Sequence, residues 1–324
     1  MANVSGRGTL WNLPNYAGQL FTASKVRTPF LDRITMAGDI NSPEFAMGSS
    51  YDMEAASQPG ITETASLTAP TATNYVRSNE KNVAQIFQEK VSVSYAKSSA
   101  SGRMTRIEVS SSGEAYDEFG NNPVSNELAF QTARNMDQIK MDMEYTFLNG
   151  TYQLATSASV AFKTRGVITG STTNTVAASG ATITKAIMDS LFKEMADNGA
   201  FDQGGSHTIM CNSFNKQKLS DIYSYVPTDR NIGGSNITMI ETDFGIFEIV
   251  YVPRVPTATI AVLNMDKIAI AFQPVPGKPV EDGRVILEPL AKTGASDNYQ
   301  LFTQAGIDYG SSYFHGTVTG TATA

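Results

Sequence analysis

Apolar residues recur at helical spacing most persistently between Asn122 and Gly150. There Ala129, Ala133, Met136, Met143 and Phe147, with Leu128 and Ile139 alongside, form one stripe. Arg134, Asp137, Lys140 and Glu144 fall mostly off it. The pattern predicts one amphipathic helix over residues 123–149, with Asn122 as N-cap, Pro123 at the first helical position, and Asn149 and Gly150 as a left-handed stop. At about 1.5 Å per residue such a helix spans roughly 38 Å and needs a sheet or a neighbour along its whole length.

A second helical repeat follows a polar stretch over residues 166–180. Ile183, Ile187, Leu191 and Met195 lie four apart, Met188 and Phe192 sit beside them, and Asn198 with Gly199 ends the run. Residues 208–211 then read as a strand, Asn212 or Ser213 as a cap, and residues 214–223 as a third helix. Strands are expected over 238–240, 246–252, 257–263 and 268–272, punctuated by Asp243, Gly245, Pro253 and Pro256. Together these make an α/β segment. Residues 278–315 are strand-rich again: after 285–287, Leu301, Thr303, Ala305, Ile307 and Tyr309 alternate with mostly polar neighbours, which suits a sheet beside the long helix.

Ahead of the long helix the pattern is looser. The first forty or so residues suggest an arm, with a helical turn over 16–21 and a short capped helix over 28–34. Leu10, Trp11, Leu13, Tyr16, Leu20, Phe21, Phe30 and Leu31 are too many apolar groups for a free tail, so the arm must dock, on this subunit or another. Residues 42–112 are rich in Ser, Thr, Ala and Pro. Within them Phe87, Val91, Val93 and Tyr95 alternate with Gln88, Lys90, Ser92 and Ser94, as in a half-buried strand. The expected object is a long hairpin-like excursion, and an isolated two-stranded ribbon is marginally stable at best in water. A neighbouring chain would supply the missing packing. The candidate inter-subunit contacts are therefore Trp11, Tyr16, Phe21, Phe30, Phe87, Val91 and Tyr95.

Composition narrows the function. A chain of 324 residues with 41% hydrophobic content has enough apolar material for an ordinary globular core. The net charge of −7, with 24 Lys and Arg, argues against a sequence-independent grip on nucleic acid, which needs clustered cations. Cys211 is the single cysteine, so no internal disulfide forms, and synthesis in a reducing cytosol is expected. The N-terminus has no apolar signal core, and no apolar run approaches the roughly 20 residues that cross a bilayer.

Chemistry is sparse. No Gly-rich phosphate loop, HExxH helix, GxSxG elbow or Cys/His metal spacing occurs. His207 and His315 are far apart in sequence and without ligand-type neighbours. Asp142 and Glu144 are two apart on a helix, so their side chains diverge. Glu127, Asp137, Asp142 and Glu144 read as a solvated face in preference to a divalent-cation site at a subunit contact, and Met136, Met141 and Met143 as core or interface filling. No catalytic residue, cofactor or metal is expected, and the protein is not read as an enzyme.

The order of arm, ribbon, long helix, inserted α/β segment and returning strands resembles the major capsid proteins of tailed double-stranded DNA bacteriophages, whose HK-ninety-seven-type fold is shared with encapsulins. NLPNYAGQLF followed by RTPFLDRI resembles the N-terminal arm of one branch, and NVAQIFQEKVSVSYAKSSASG the returning half of its extended loop. NELAFQTARNMDQIKMDMEYTFLNGT followed by KTRGVITG resembles the spine helix and its exit, and KTGASDNYQLFTQAGIDYGSSYFHG the closing strands. These similarities cover most of the chain and are textures without a chemical motif.

The resemblance implies an α+β fold with an arm over 1–45, an extended loop over 46–112, a peripheral domain over 113–180 and 266–324, and an axial domain over 181–265. It implies a shell subunit of the virion, self-assembling into hexamers and pentamers around packaged double-stranded DNA. The partners would be further copies, a portal, and separate scaffolding or decoration proteins, with no membrane. Met1 leads almost directly into the arm, so no fused scaffold is expected. Some relatives crosslink subunits by a Lys–Asn isopeptide bond, but nothing marks Lys81, Lys90 or Lys97 as reactive, and no crosslink is expected; a covalent ladder from mature particles on a denaturing gel would refute this. The alternatives are an encapsulin-like compartment around a cargo enzyme, or a tail or decoration protein.

Overall fold

A computed structural model describes residues 25–51, 53–99, 107–109, 115–117, 126–202, 204–223, 237–278, 283–292 and 294–323. The chain enters through a 3-10 turn at Leu31–Arg33 and runs through β1 (Thr35–Asp39), β2 (Glu44–Tyr51), α1 (Glu63–Ser66), β3 (Arg77–Val83), β4 (Gln85–Ser94) and α2 (Tyr95–Ser99). A small hairpin, β5 (Ile107–Val109) with β6 (Ala115–Asp117), precedes the long helix α3 (Glu127–Asn149) and the single turn α4 (Val167–Gly170). Then come β7 (Asn174–Ala177), α5 (Lys185–Asp197), β8 (His207–Cys211), α6 (Ser213–Tyr223), β9 (Met239–Thr242), β10 (Gly245–Tyr251) and β11 (Thr259–Asn264). The chain closes with β12 (Ala269–Phe272), β13 (Val285–Pro289), β14 (Ser296–Asp308) and β15 (Gly316–Thr319).

Two sheets organise these elements. In the first, the order is β1-β12-β14-β13, with β4 also paired to β14 from Ser94–Ser296 through Gln85–Ala305. In the second it is β7-β15-β11-β8-β10-β9. The central strands β8 and β11 are buried without alternation because both faces of this sheet are covered. On one face Ile209, Cys211, Phe247, Ile249, Ile260 and Val262 meet α5 through Met188, Leu191, Phe192 and Met195, and α6 through Leu219. On the other, Met210, Val250, Val252, Ala261 and Leu263 join Ile139, Met143, Phe147 and Leu148 of α3 and Leu301, Ala305 and Ile307 of β14. The sheet is a shared wall between two cores.

The α/β segment follows its sequence pattern closely. Thr184 caps α5 by accepting from Ile187 N at 3.4 Å, and Gly199 follows at φ +73. Asn212 caps α6 by accepting from Asn215 N at 2.8 Å, and β10 pairs in parallel with β8, so the chain makes the expected βα step.

The long helix departs from expectation at both ends. Asn126 is its cap, accepting from Ala129 N at 3.2 Å; Asn122 and Pro123 lie outside the described residues. Gly150 sits at φ −57 and is no left-handed stop. Its missing side chain matters for another reason: a Cβ there would meet Thr164 O at 2.3 Å and Thr146 O at 2.5 Å. The helix has 23 residues, about 34 Å, and its buried positions, Ile139, Met143, Glu144, Phe147 and Leu148, all lie in the second half. Ala129 and Ala133 are exposed, so own-chain packing does not cover its whole length.

Two further strands fall elsewhere than expected. β4, read as part of the excursion, belongs to the first sheet, because its inward Phe87, Val91 and Val93 complete the subunit's own core. β15, inside the 266–324 span that the resemblance gives to the peripheral domain, lies between β7 and β11 in the second sheet and contributes Val318 to the core under α5.

Candidate assembly interface

What leaves the body of the subunit is a ribbon, β2 paired with β3 from Glu44–Val83 to Tyr51–Arg77. Its root is held by buried polar groups. The Asn82 side chain donates to Ile307 O at 2.8 Å and Arg165 O at 3.0 Å, and accepts from Arg165 N at 2.8 Å and Val83 N at 3.0 Å. A fully buried amide must find such partners. Glu80 accepts from Ser311 Oγ at 3.2 Å and Ser312 N at 3.4 Å. Gly306 lets the root lie close on β14, since a Cβ there would come within 2.7 Å of the Phe45 ring and 2.8 Å of Val83 O.

Beyond the root the ribbon is bare. Every described residue from Met53 to Tyr75 is exposed, and the single turn α1 is stabilised locally by its Thr62 cap. Ile61 is 72% exposed, Leu67 84% and Val76 83%, with Tyr51, Met53 and Tyr75 also open. Several large apolar side chains left in water on one projecting element mark it as a candidate interaction surface.

The arm is pinned where it enters. Glu144, buried on α3, accepts from Phe30 N at 3.2 Å and Leu31 N at 3.4 Å, and pairs with Arg254 at 3.3 Å. Arg254 also donates to Arg27 O at 2.8 Å and Lys25 O at 2.7 Å. Burial pushes the Glu144 carboxyl above the usual range, opposed by the Leu31 N–H, the Arg254 charge and the Phe30 N–H. Outside this pair, Arg284 grips Asp39 with two bonds of 2.7 and 3.1 Å, and Arg33 meets Glu248 at 2.8 Å.

The residues expected at subunit contacts divide three ways. Trp11, Tyr16 and Phe21 lie outside the described residues. Phe30, Phe87 and Val91 are 0, 6 and 2% exposed and belong to the subunit's own interior, Phe87 edge-on to Phe147 with centroids 6.2 Å apart. This corrects the reading that they serve a neighbour: the alternation is real, but the apolar side of β4 finds α3 of the same chain. Tyr95 is 44% exposed, and its hydroxyl accepts from Lys292 Nζ at 3.0 Å. Ile61, Leu67 and Val76 were passed over in sequence, where single apolar residues among Ser, Thr and Pro show no period. Their isolation is the signal, since no face exists to bury them.

The structure holds little that resembles a catalytic site. A cavity of about 360 Å³ between β4 and α3 is lined by Gln85, Phe87, Glu89, Ile139, Asp142 and Tyr145 among others. Among the described residues no cluster of His, Cys, Asp and Glu could hold a metal, and no helix is long and apolar enough to cross a membrane. Both histidines are buried. His315 accepts from Asn264 N at Nδ1, 3.3 Å, and its Nε2 lies 2.7 Å from Tyr309 O, so it is a neutral ring with Nε2 as donor. Burial drops its pKa to about 4. Burial likewise pushes the Cys211 thiol up to about 12, an unreactive state.

With this geometry in place, comparison with known families is decisive: the model of the SU10 major capsid protein matches residues 3–322. The chain belongs to that family. It is a structural capsid protein of the virion, not an enzyme. Solved structures carry the same fold. The capsid asymmetric unit of cyanophage A-1(L) superposes with TM-score 0.62 at 12% identity, covering 96% of this chain and 97% of the other. The capsid of the native GTA particle gives 0.58 at 11%, covering 97 and 96%. The SrpI encapsulin of Synechococcus elongatus PCC 7942 gives 0.56 at 11%, covering 97 and 93%. The fold is thus the HK-ninety-seven-type capsid fold. No curated protein sequence matches the chain.

Proposed function

We propose that this capsid protein closes on itself as hexamers and pentamers, tiling an icosahedral shell around packaged double-stranded DNA. The observation that carries this is the ribbon: a root held by Asn82 and Glu80 and a tip whose Ile61, Leu67 and Val76 are 72, 84 and 83% exposed among the described residues. A projection held at its root and apolar at its end suits a partner that approaches in one fixed geometry, as an adjacent copy does. Head-to-tail contacts of one chain close as rings when the rotation allows. A stable contact of standard size buries roughly 800 Å² per partner. Several weaker ones on arm and ribbon add up, while each lets a misplaced subunit leave.

On this reading the arm spans 1–45 and the extended loop 46–112 apart from β4, which belongs to the first sheet; the peripheral domain spans 113–180 and 266–324 apart from β7 and β15, which lie in the sheet of the axial domain, 181–265. The net charge of −7 suits a container, because a strongly cationic lining would hold DNA against entry and exit. A portal and separate scaffolding or decoration proteins complete the partner set, and synthesis takes place in the host cytoplasm.

Electron microscopy of purified protein at high concentration, with solution mass on the same sample, tests the shell. Closed shells or five- and six-fold rings are expected, and tubes or compact monomers with a protected ribbon would overturn the reading. Nuclease-protected double-stranded DNA inside particles from infected cells tests the contents; a protein cargo without DNA would assign an encapsulin-like compartment instead.

A further inference from the structure

The arm's entry carries a charged pair in a place where apolar packing would cost less. Glu144 has a side chain that is fully buried, and that of Arg254 is 13% exposed. Buried pairs of this kind contribute little net stability against well-packed hydrophobic side chains, because desolvation offsets their attraction. Their partners show what the pair does here. Pro29 has no N–H, so the first donors of the 3-10 turn are Phe30 N and Leu31 N, and both go to Glu144. With Phe30 0% exposed, its N–H has no water to use. The Arg254 fork, from the loop after β10, takes the carbonyls of Lys25 and Arg27, two positions apart on the incoming segment, while the same guanidinium holds Glu144.

We propose that Glu144 and Arg254 are positioning residues for assembly: together they fix the course of the backbone over residues 25–31, on which the placement of the segment before it in the shell depends. The inference rests on the shell-forming role above. Phe30 anchors the chain in the core, but it sits after the point at which Arg254 grips. Direction before Thr28 comes from three separate elements converging on one ion pair: α3, the loop between β10 and β11, and the arm's own backbone. Nη1 serves Arg27 O and Glu144 while Nη2 serves Lys25 O, so lysine at position 254, with a single nitrogen, keeps the charge and loses the two-point geometry.

The test separates positioning from folding. The side chains of Lys25 and Arg27 are exposed, so trypsin can report how firmly the backbone at those two bonds is held. R254K is expected to retain the wild-type melting temperature within a few degrees. Its cleavage after Lys25 and Arg27 should accelerate about tenfold, as expected when a local closure weakens by a decade. Its yield of uniform closed shells should fall by a similar factor, with open or irregular particles in their place. E144Q, which keeps an acceptor for Phe30 and Leu31, should give intermediate cleavage and intermediate shell yield. Unchanged cleavage in R254K would overturn the proposal, as would faster cleavage with normal shells. Loss of shells with unchanged cleavage would overturn it too, since the defect would not pass through the arm. If wild-type protein forms no shells while R254K still loosens the arm, the shell reading has failed and the latch geometry has not.

Discussion

Strands β3 and β4 follow one another with only Ala84 between them, yet they end in opposite surroundings. β3 is open along most of its length and buried at Asn82 and Val83, where it reaches the body. β4 is buried at Phe87, Val91 and Val93, with Glu89 half-buried between them. The cause is composition. Arg77, Ser78, Asn79, Glu80 and Lys81 offer no apolar face, so β3 pairs with β2 and stands out in water. Phe87, Val91 and Val93 present a stripe that α3 and β14 cover. Material that the chain can bury itself becomes core, and material that it cannot bury is left for assembly.

Charge in the buried strand should break this comparison hardest. Phe87→Asp forfeits about 3–5 kcal/mol for the ring alone and adds a carboxylate with no partner. That is comparable to the whole stability of an ordinary domain. Loss of soluble folded subunit, read by yield and melting temperature, is expected, and a stable monomer that merely fails to assemble would return Phe87 to the interface.

Acid acts next, again on the buried side. His315 lies just after the ribbon's contact at Ser311 and Ser312, where β14 hands over to β15. Its folded pKa of about 4 is below the ordinary 6.5, so between those values the unfolded chain binds more protons. The histidine's contribution is complete above pH 6.5 and is lost as pH falls through about 4, a total of roughly 3 kcal/mol. In His315→Asn the denaturation midpoint should lose much of its dependence on pH over that window. An unaltered pH profile would show that other groups carry it.

Smaller effects sharpen the contrast within the ribbon. Asn82→Ala leaves Arg165 N and Ile307 O without their partner, for about 2 kcal/mol, and should speed amide exchange at the ribbon root; equal exchange would mean that strand pairing alone holds it. At the tip, Ile61→Ser with Leu67→Ser should change subunit stability by less than about 0.5 kcal/mol. Shell formation should nonetheless fail. Normal shells from that double variant would remove the tip from the interface.

The periodic segments were legible because their signals are local. The repeat from Ile183 to Met195, its Asn198–Gly199 end and the Asn212 cap read directly, since spacing and capping act within a few residues. The long helix was legible in its middle. Its stop was misread because Gly150 is required by the nearby carbonyls of Thr146 and Thr164, and Thr164 is distant in the pattern. Of the site, the existence of a ribbon within residues 42–112 could be seen. The identity of the exposed residues could not, because alternation shows that β4 has an apolar side and says nothing of who covers it.

Sequence by itself therefore determined the local order of elements, the lack of a catalytic constellation, the negative charge and the family texture. Each of these depends on residue type and short-range spacing. Tertiary structure alone decided that Phe30, Phe87 and Val91 are interior, that β15 belongs under α5, that Asn82 holds the ribbon root, and that Glu144 and Arg254 hold the backbone over residues 25–31. Those outcomes turn on contacts between residues more than 200 positions apart, 225 for Asn82 and Ile307 and 229 for Arg254 and Lys25. Burial and hydrogen-bond satisfaction are settled only when such distant groups meet.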